Sequence, residues 1–133
     1  MKKIIVLIVL FSALPLFSGA YIEFFTGRSD GENITLEWKT HQEDNVSAFV
    51  VERKAGVDGQ FIMLASIEPR GPNSHYSYVD KSAFKSTESL YIYRLKIMDI
   101  DPSAPPSYSK EVHVSHSVSS VKRTWGSIKA MFR

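Results

Sequence analysis

The stretch Leu90-Tyr91-Ile92-Tyr93-Arg94-Leu95-Lys96-Ile97-Met98-Asp99 decides the fold of this chain. Its large apolar side chains recur at every second position from Tyr91 to Ile97, which is the period of a β-strand with one face in a core. An earlier stretch with the same period carries Trp38. Two aromatic-rich strands far apart in the sequence predict an all-β sandwich.

Between residues 21 and 118 the sequence predicts seven strands, separated by turn signals such as Asp30-Gly31 and Asp58-Gly59. The predicted strands are residues 21–25, 34–39, 49–52, 61–67, 76–79, 90–99 and 108–114. Short strands with turns at roughly ten-residue spacing are typical of an antiparallel sandwich of two packed sheets. No internal repeat interrupts them, so one domain is expected.

The alternation also predicts which side chains fill the core. The inward set is Ile34, Leu36, Trp38, Phe49, Val51, Phe61, Tyr76, Tyr78, Tyr91, Tyr93, Leu95 and Ile97, with Val112 and Val114 in the last strand. Each such side chain, when fully buried, contributes roughly 1.5–3 kcal/mol. The chain has no cysteine, so this core must stabilise the domain without disulfides.

Residues 1–20 predict a signal peptide. Lys2 and Lys3 form a basic start, an apolar run follows, and the small residues up to Ala20 suit cleavage after that position. The apolar run is shorter than the roughly 20 residues that a membrane-spanning helix needs, so an uncleaved anchor is the lesser alternative. We therefore expect export of a bacterial type, to the periplasm, the cell surface or the medium.

The charge is divided unevenly along the chain. The formal net charge is +2, and Lys2 and Lys3 of the leader account for it. Residues 119–133 carry +4 and no acidic residue, which leaves residues 21–118 with −4. A nucleic-acid-binding domain would carry its basic surface on the folded body. The charge distribution therefore argues against nucleic acid as a partner and directs attention to the tail.

Residues 119–133 predict a basic amphipathic helix. At 100° per residue, Val121, Trp125, Ile128 and Phe132 share one narrow stripe. Lys122, Lys129 and Arg133 cluster beside the stripe, whereas Arg123 lies on the far side. A helix of this length is marginal alone in water, so it should order only against a surface. The predicted docking residues are Val121, Lys122, Trp125, Ile128, Lys129, Phe132 and Arg133.

Three surfaces could order this tail. The first is the sandwich of the same chain, where the helix would cover an open edge or end. The second is a groove on a protein partner, with apolar anchors at helical spacing. The third is an anionic membrane surface, because interfacial helices combine a basic flank with tryptophan and phenylalanine. The sequence leaves all three open.

The body resembles a fibronectin type III domain over residues 21–118. Trp38 matches the second-strand tryptophan of that family, and Tyr91 matches the tyrosine of its tyrosine corner. The resemblance is closest to the bacterial variety found in large secreted proteins, through residues 38–45, 49–53, 78–80 and 93–96. It implies an immunoglobulin-like sandwich with Trp38, Phe49, Tyr78, Tyr91, Tyr93 and Leu95 as core residues.

Two features depart from that bacterial pattern. The last hairpin usually turns through Asp-x-Asp-Gly, but here Asp99-Ile100-Asp101 runs into a loop that extends from Pro102 to Pro106. The domain also stands alone, which argues against a role as a spacer between domains. The last loop has no Arg-Gly-Asp sequence, so the resemblance does not imply integrin binding.

No pattern of catalytic residues stands out, so the sequence predicts neither an enzyme nor a cofactor. His113 and His116 lie three apart on a predicted strand and should face opposite sides, which disfavours a shared metal ion. Asp99 and Asp101 could bind calcium, but the interpretation favoured here is that their carboxylates accept hydrogen bonds within a turn. No metal site is therefore predicted.

These observations leave three functional hypotheses. The first is an exported binding or assembly module in the cell envelope, which its basic tail attaches to a protein partner or envelope component. The second is a structural subunit that associates with copies of itself, with each tail in a cleft of the next subunit. The third, a carbohydrate-binding accessory module, needs exposed aromatic rings, whereas the predicted aromatics point inward.

Overall fold

A computed structural model describes residues 19–83 and 89–117, together with Lys129 and Met131. In these residues the chain forms an all-β fold of eight strands. They are β1 (Ala20–Ser29), β2 (Ile34–Glu43), β3 (Val46–Ala55), β4 (Ile62–Ile67), β5 (His75–Asp80), β6 (Leu90–Asp99), β7 (Ser107–Tyr108) and β8 (Val112–Ser115). The described residues contain no helix that is long and apolar enough to cross a membrane.

The strands form two antiparallel sheets that pack face to face. One sheet has the order β1-β2-β5, and the other has the order β4-β3-β6, with β7 and β8 both pairing along the remaining side of β6. Because side chains alternate across each strand, every second residue of β2, β3 and β6 enters the space between the sheets. This space is the core that the sequence predicted.

Trp38 lies at the centre of the core. Its ring stacks on Tyr76, directly opposite on β5, with 5.1 Å between ring centroids. Phe25 and Phe49 meet the same indole ring from β1 and from the facing sheet. Aromatic pairs of this kind contribute roughly 0.5–1.5 kcal/mol beyond their area burial. The buried apolar residues are Phe25, Ile34, Leu36, Trp38, Val46, Phe49, Val51, Tyr76, Ala83, Tyr91, Ile92, Tyr93, Leu95, Ile97 and Val114.

The predicted last strand is wrong in one respect, because residues 107–115 form two strands and the count rises from seven to eight. β6 pairs with β8 from Leu90 to Tyr93 and with β7 at Lys96 and Ile97. Between these pairings the outer chain bulges at Ser109, whose N–H donates to the Leu95 carbonyl while its Oγ accepts from the Leu95 N–H. A side-chain hydroxyl therefore replaces one step of the ladder.

The prediction that Phe61 points into the core is also wrong, because Phe61 precedes β4 and lies outside the core. Its ring lies on the outer face of the larger sheet, 3.8 Å from the Arg94 guanidinium carbon and 4.9 Å from Lys54 Nζ. Leu64 packs against the core in its place. Tyr78 points inward as predicted but is only half-buried, as is Val112. The other predicted core residues are buried.

The turns follow the predicted residue chemistry. In the β1–β2 turn Asp30 Oδ1 accepts hydrogen bonds from the N–H groups of Glu32 and Asn33, and Gly31 has a positive φ of 88°. Asp99 and Asp101 act in the same way, since each carboxylate accepts a backbone N–H two residues later. These two carboxylates thus have the turn role that the sequence favoured.

The sandwich has two ends, called here the exit end and the opposite end. The exit end holds the β1–β2 and β3–β4 turns, the start of β6 and His116, after which the chain leaves the described body. The opposite end holds the β2–β3 turn, where Asn45 adopts a positive φ of 56°. The Asn45 carbonyl accepts a hydrogen bond from Ile100 N–H there, which joins this turn to the end of β6.

Candidate functional site

The predicted docking tail lies almost wholly outside the described residues. Val121, Lys122, Trp125, Ile128, Phe132 and Arg133 fall there, as does most of the predicted helix. Lys129 and Met131 are described and have helical backbone; both are exposed, Met131 to 81%. What the described body shows about the tail is therefore the place on the sandwich where the tail begins.

His116 fixes that place. It is only 2% exposed, and its Nδ1 lies 2.6 Å from Ser29 Oγ in a hydrogen bond to the last residue of β1. Its backbone N–H donates to the Ser89 carbonyl, and its ring meets Tyr91 edge-on at 5.9 Å. Contacts to both sheets thus hold the chain up to residue 116, and the tail starts from a rigid point.

The surface around this point carries charges of both signs. Ser117 lies close to Gly31, since a Cβ built on that glycine would be 3.6 Å from the Ser117 carbonyl oxygen. Asp30, Glu32 and Asp58 are exposed at the exit end, and so are Arg28 near the end of β1 and Lys81 after β5.

Under the exit end lies a buried ion pair that joins the two sheets. Arg53 at the end of β3 donates to Asp80 Oδ2 at 2.7 Å, and the Tyr93 hydroxyl donates to the same oxygen at 2.7 Å. Ser82 donates to Asp80 Oδ1 through both its N–H and its hydroxyl. The side chains of Arg53 and Asp80 are 11% and 1% exposed.

These contacts set the charge states of the network. Burial alone would raise the pKa of Asp80, but hydrogen bonds from Tyr93, Ser82 and Arg53 outweigh it and hold the pKa below the ordinary aspartate value. Burial alone would lower the pKa of Arg53, and the bond to Asp80 reverses that effect. Burial and the bond to Asp80 raise the pKa of Tyr93. At neutral pH the network is an ion pair with a neutral tyrosine.

Tyr91 completes the exit end as a tyrosine corner. Its hydroxyl donates to the Ala83 carbonyl at 2.7 Å, and Ala83 is fully buried. The Arg53 guanidinium carbon lies 5.0 Å from the centroid of the Tyr91 ring. Two tyrosines of β6 therefore anchor the crossing from β5 to β6, and the polar groups of this network other than the buried Arg53 Nε help to hold the sandwich together.

Sequence reasoning missed the Arg53–Asp80 pair, although the signal was present. Phe49 and Val51 were predicted inward, and the same alternation continues to Arg53. Tyr76 and Tyr78 lead in the same way to Asp80. Two opposite charges that continue the inward face of two facing strands point to a buried ion pair.

A second polar network closes the opposite end. Glu43 Oε1 accepts from Thr40 Oγ1 at 2.6 Å and from the Tyr76 hydroxyl, while Glu43 Oε2 accepts from Gly71 N–H at 2.8 Å. Burial and the bond to Glu43 raise the pKa of Tyr76. The Arg70 guanidinium covers the Tyr76 ring at 4.4 Å. This network ties the loop before β5 to the end of β2.

A cleft of about 340 Å³ opens between the free edges of β1 and β7 towards the opposite end. Ile22, Phe24 and Ile97 provide its apolar walls, and Glu23 and Lys110 line it with opposite charges. Such a lining suits an apolar side chain of another segment. The cleft and the departure point of the tail thus lie towards different ends of the body.

The described aromatic rings give little support to carbohydrate stacking. Tyr76, Tyr91 and Tyr93 are buried, whereas Tyr21 is 62% and Tyr108 48% exposed. The Arg94 guanidinium already covers Tyr108 at 4.2 Å and bonds to Glu52 at 2.8 Å. Sugar binding needs open ring faces, which this arrangement does not offer at Tyr108.

The described residues hold no group of three or more His, Asp or Glu side chains placed to bind a metal ion. His113 lies on the exposed side of β8, and His116 is buried on the other side, so the two face apart as predicted. The lysines and arginines of the body that are described mostly form ion pairs or cover aromatic rings.

Comparison with known proteins identifies the type of fold. No family model matches the chain, and no curated protein matches it. Among solved structures it is similar to a Fn3-like protein from Clostridium thermocellum, with 17% sequence identity and a TM-score of 0.52. The match covers 74% of this chain and 94% of that one. The body of this chain therefore has a fibronectin type III-like fold.

Proposed function

We propose that this protein is an exported, non-enzymatic binding module of the cell envelope. Its sandwich is a rigid carrier, and residues 119–133 attach it to a protein partner. The fibronectin type III-like fold supports a role without catalysis. The leader of residues 1–20 supports export. Cleavage after Ala20, the first residue of β1, leaves nine residues of that strand in place.

One observation carries the proposal: His116 anchors the chain at the exit end, directly before a segment that combines an apolar stripe with a +4 charge. The anchor at His116 keeps a partner that is bound to residues 119–133 close to the exit end. We favour a protein groove over an anionic membrane, because membrane binding grows with the buried apolar area and a segment of this length offers little of it. The groove should be apolar, with acidic residues at its rim.

The test is a pull-down from envelope extract with the exported chain as bait. The double variant Trp125→Ala/Phe132→Ala removes two anchors of the stripe and should lose most of the partner, because aromatic anchors dominate interfaces of this kind. Arg123→Ala is the matched control, since it lies opposite the stripe on the predicted helix. Equal recovery of the partner by the two variants would contradict attachment through the stripe.

A second candidate is the self-associating structural subunit. The observation that favours it is the cleft between β1 and β7, which lies towards the end opposite the departure of the tail. A tail placed in the cleft of the next copy would form a head-to-tail contact that need not close into a ring. In this case the double variant would also abolish association of the purified protein, which a concentration series in size-exclusion chromatography measures.

A further inference from the structure

The free edge of the larger sheet differs from the other free edges of the described strands. β1 carries Glu23 and Arg28, and β5 ends at Asp80. Lys110 interrupts the edge that β7 and β8 form. β4 has the sequence Ile-Met-Leu-Ala-Ser-Ile, without a charge, a proline or a glycine. Natural sheets protect an edge with charged side chains, proline, a bulge or a very short strand; β4 has a bulge at Leu64 but neither a charge nor a proline.

The side chains of β4 are unusually exposed for their chemistry. Met63 is 66% and Ile62 49% exposed. β3 pairs with one side of β4, and no described strand pairs with the other. A short apolar strand with an unpaired backbone edge is a template for another strand. The occupant of this edge must therefore offer backbone hydrogen bonds and apolar side chains.

We propose that β4 pairs antiparallel with β4 of a second copy of this chain, around a two-fold axis. Such pairing needs a register in which side chains opposite each other point to the same face. Met63 points outward, because it lies opposite Glu52 on the outer face of β3. Leu64 and Ile67 point inward and pack against the core.

One register satisfies this condition along the whole strand. It places Ile62 opposite Ile67, Met63 opposite Ser66 and Leu64 opposite Ala65 of the other copy. Neighbouring registers place an outward side chain opposite an inward one. The β4 residue that has no partner on β3 is Leu64, so the local bends of the two strands meet at the two-fold axis.

The charges beyond the strand ends favour the same register. It places Phe61 opposite the exposed Glu68 of the second copy. Lys54 Nζ lies 4.9 Å from the centroid of the Phe61 ring, so a lysine of one copy comes near a glutamate of the other. The two-fold axis repeats this contact. A second copy therefore supplies a strand that can pair with β4, apolar side chains and a complementary charge.

The contact should be weak in solution. Stable interfaces bury roughly 1,200–2,000 Å² in total, and a six-residue strand pair reaches only the low end of that scale or less. Association should thus depend on concentration and strengthen where copies are held close together. This surface is separate from the tail, so the inference stands whether or not the tail docks on a partner.

Sedimentation velocity over a concentration series up to about 1 mM tests the contact on the exported chain. Met63→Lys places a charge on the edge strand and should weaken association at least tenfold, because a lysine on an edge strand disfavours pairing with another strand. Val57→Lys is the matched control: Val57 is equally exposed and apolar but lies in the β3–β4 turn. It should associate like the unaltered protein.

Cysteine cross-linking tests the register, since the chain has no cysteine of its own. Met63→Cys/Ser66→Cys should form disulfide-linked dimers under mild oxidation, because opposite residues lie within disulfide range. Either single variant should cross-link at least tenfold more slowly. A monomer at all concentrations, equal association of Met63→Lys and Val57→Lys, or equally fast cross-linking of the single variants would overturn the proposal.

Discussion

The ion pair of Arg53 and Asp80 shows how a single residue stabilises this sandwich. Asp80 is 1% exposed and accepts hydrogen bonds from Arg53, Tyr93 and Ser82. Each donor comes from a different position along the chain, and together they connect the smaller sheet to the larger one. Removing a single partner of such a group leaves an uncompensated charge in the interior.

Asp80→Asn should therefore lower the free energy of unfolding by about 3–5 kcal/mol, because it leaves the Arg53 guanidinium buried without a counter-charge. The double variant Arg53→Met/Asp80→Asn should be more stable than Asp80→Asn alone, since it removes that unpaired charge. Urea denaturation of the three proteins at neutral pH measures both effects. A double variant less stable than the single one would refute this account.

The lowered pKa of Asp80 also predicts how stability depends on pH. The pKa of an unfolded aspartate is about 3.9, and the folded value is lower. The contribution of Asp80 is thus fully present above about pH 5, and it is lost as the pH falls through the unfolded pKa towards the folded one. Urea midpoints at pH 6, 4 and 3 should fall for the unaltered protein, and they should fall less for Asp80→Asn.

At the scale of elements, Gly27 lets β1 approach β8. A Cβ at this position would lie 2.7 Å from Val114 Cγ2 and 3.0 Å from Leu36 Cδ2. Gly27→Ala should destabilise the fold by roughly 1–3 kcal/mol, because the added methyl group overpacks a filled space. Thr26→Ala is the control, since Thr26 is exposed on the neighbouring outward position. Thermal unfolding that shifts equally in both variants would contradict the close approach.

Alternation predicted the elements well where a strand is regular. The inward faces of β2, β3, β5 and β6 were predicted from their period of two, because one face of each strand must be buried. The errors lie at bulges. Leu64 is an extra residue on β4, so the face of Phe61 could not be predicted by counting from the core positions of that strand. Ser109 divides the last strand through a side-chain hydrogen bond that hydropathy does not record.

The candidate site was predictable to a smaller extent. The sequence indicated that the tail is the unusual feature, because a sandwich of this kind does not need such a segment to fold. The rigid departure point at His116 was missed, because a histidine after the last predicted strand gave no sign that Ser29 lies beside it. Contacts between residues so far apart in the sequence depend on the packing of both sheets, which a local pattern does not encode.

At the scale of the whole molecule, the sandwich and the tail should be separable. In the part of the chain that the structure describes, the core and the two polar networks lie within residues 20–116, and a tail that serves a partner should add little to their stability. A chain of residues 21–117 should thus unfold within about 4 °C of a chain of residues 21–133, a shift of less than about 1 kcal/mol.

A chain that ends at Ser115 provides the control, because it also removes His116. Losing the hydrogen bond to Ser29 and the contact with Tyr91 should cost about 1–3 kcal/mol, so this chain should unfold at a clearly lower temperature. If ending the chain at Ser117 already costs as much, residues 118–133 stabilise their own sandwich. The tail would then be part of the domain, and attachment to a partner would have to use another surface.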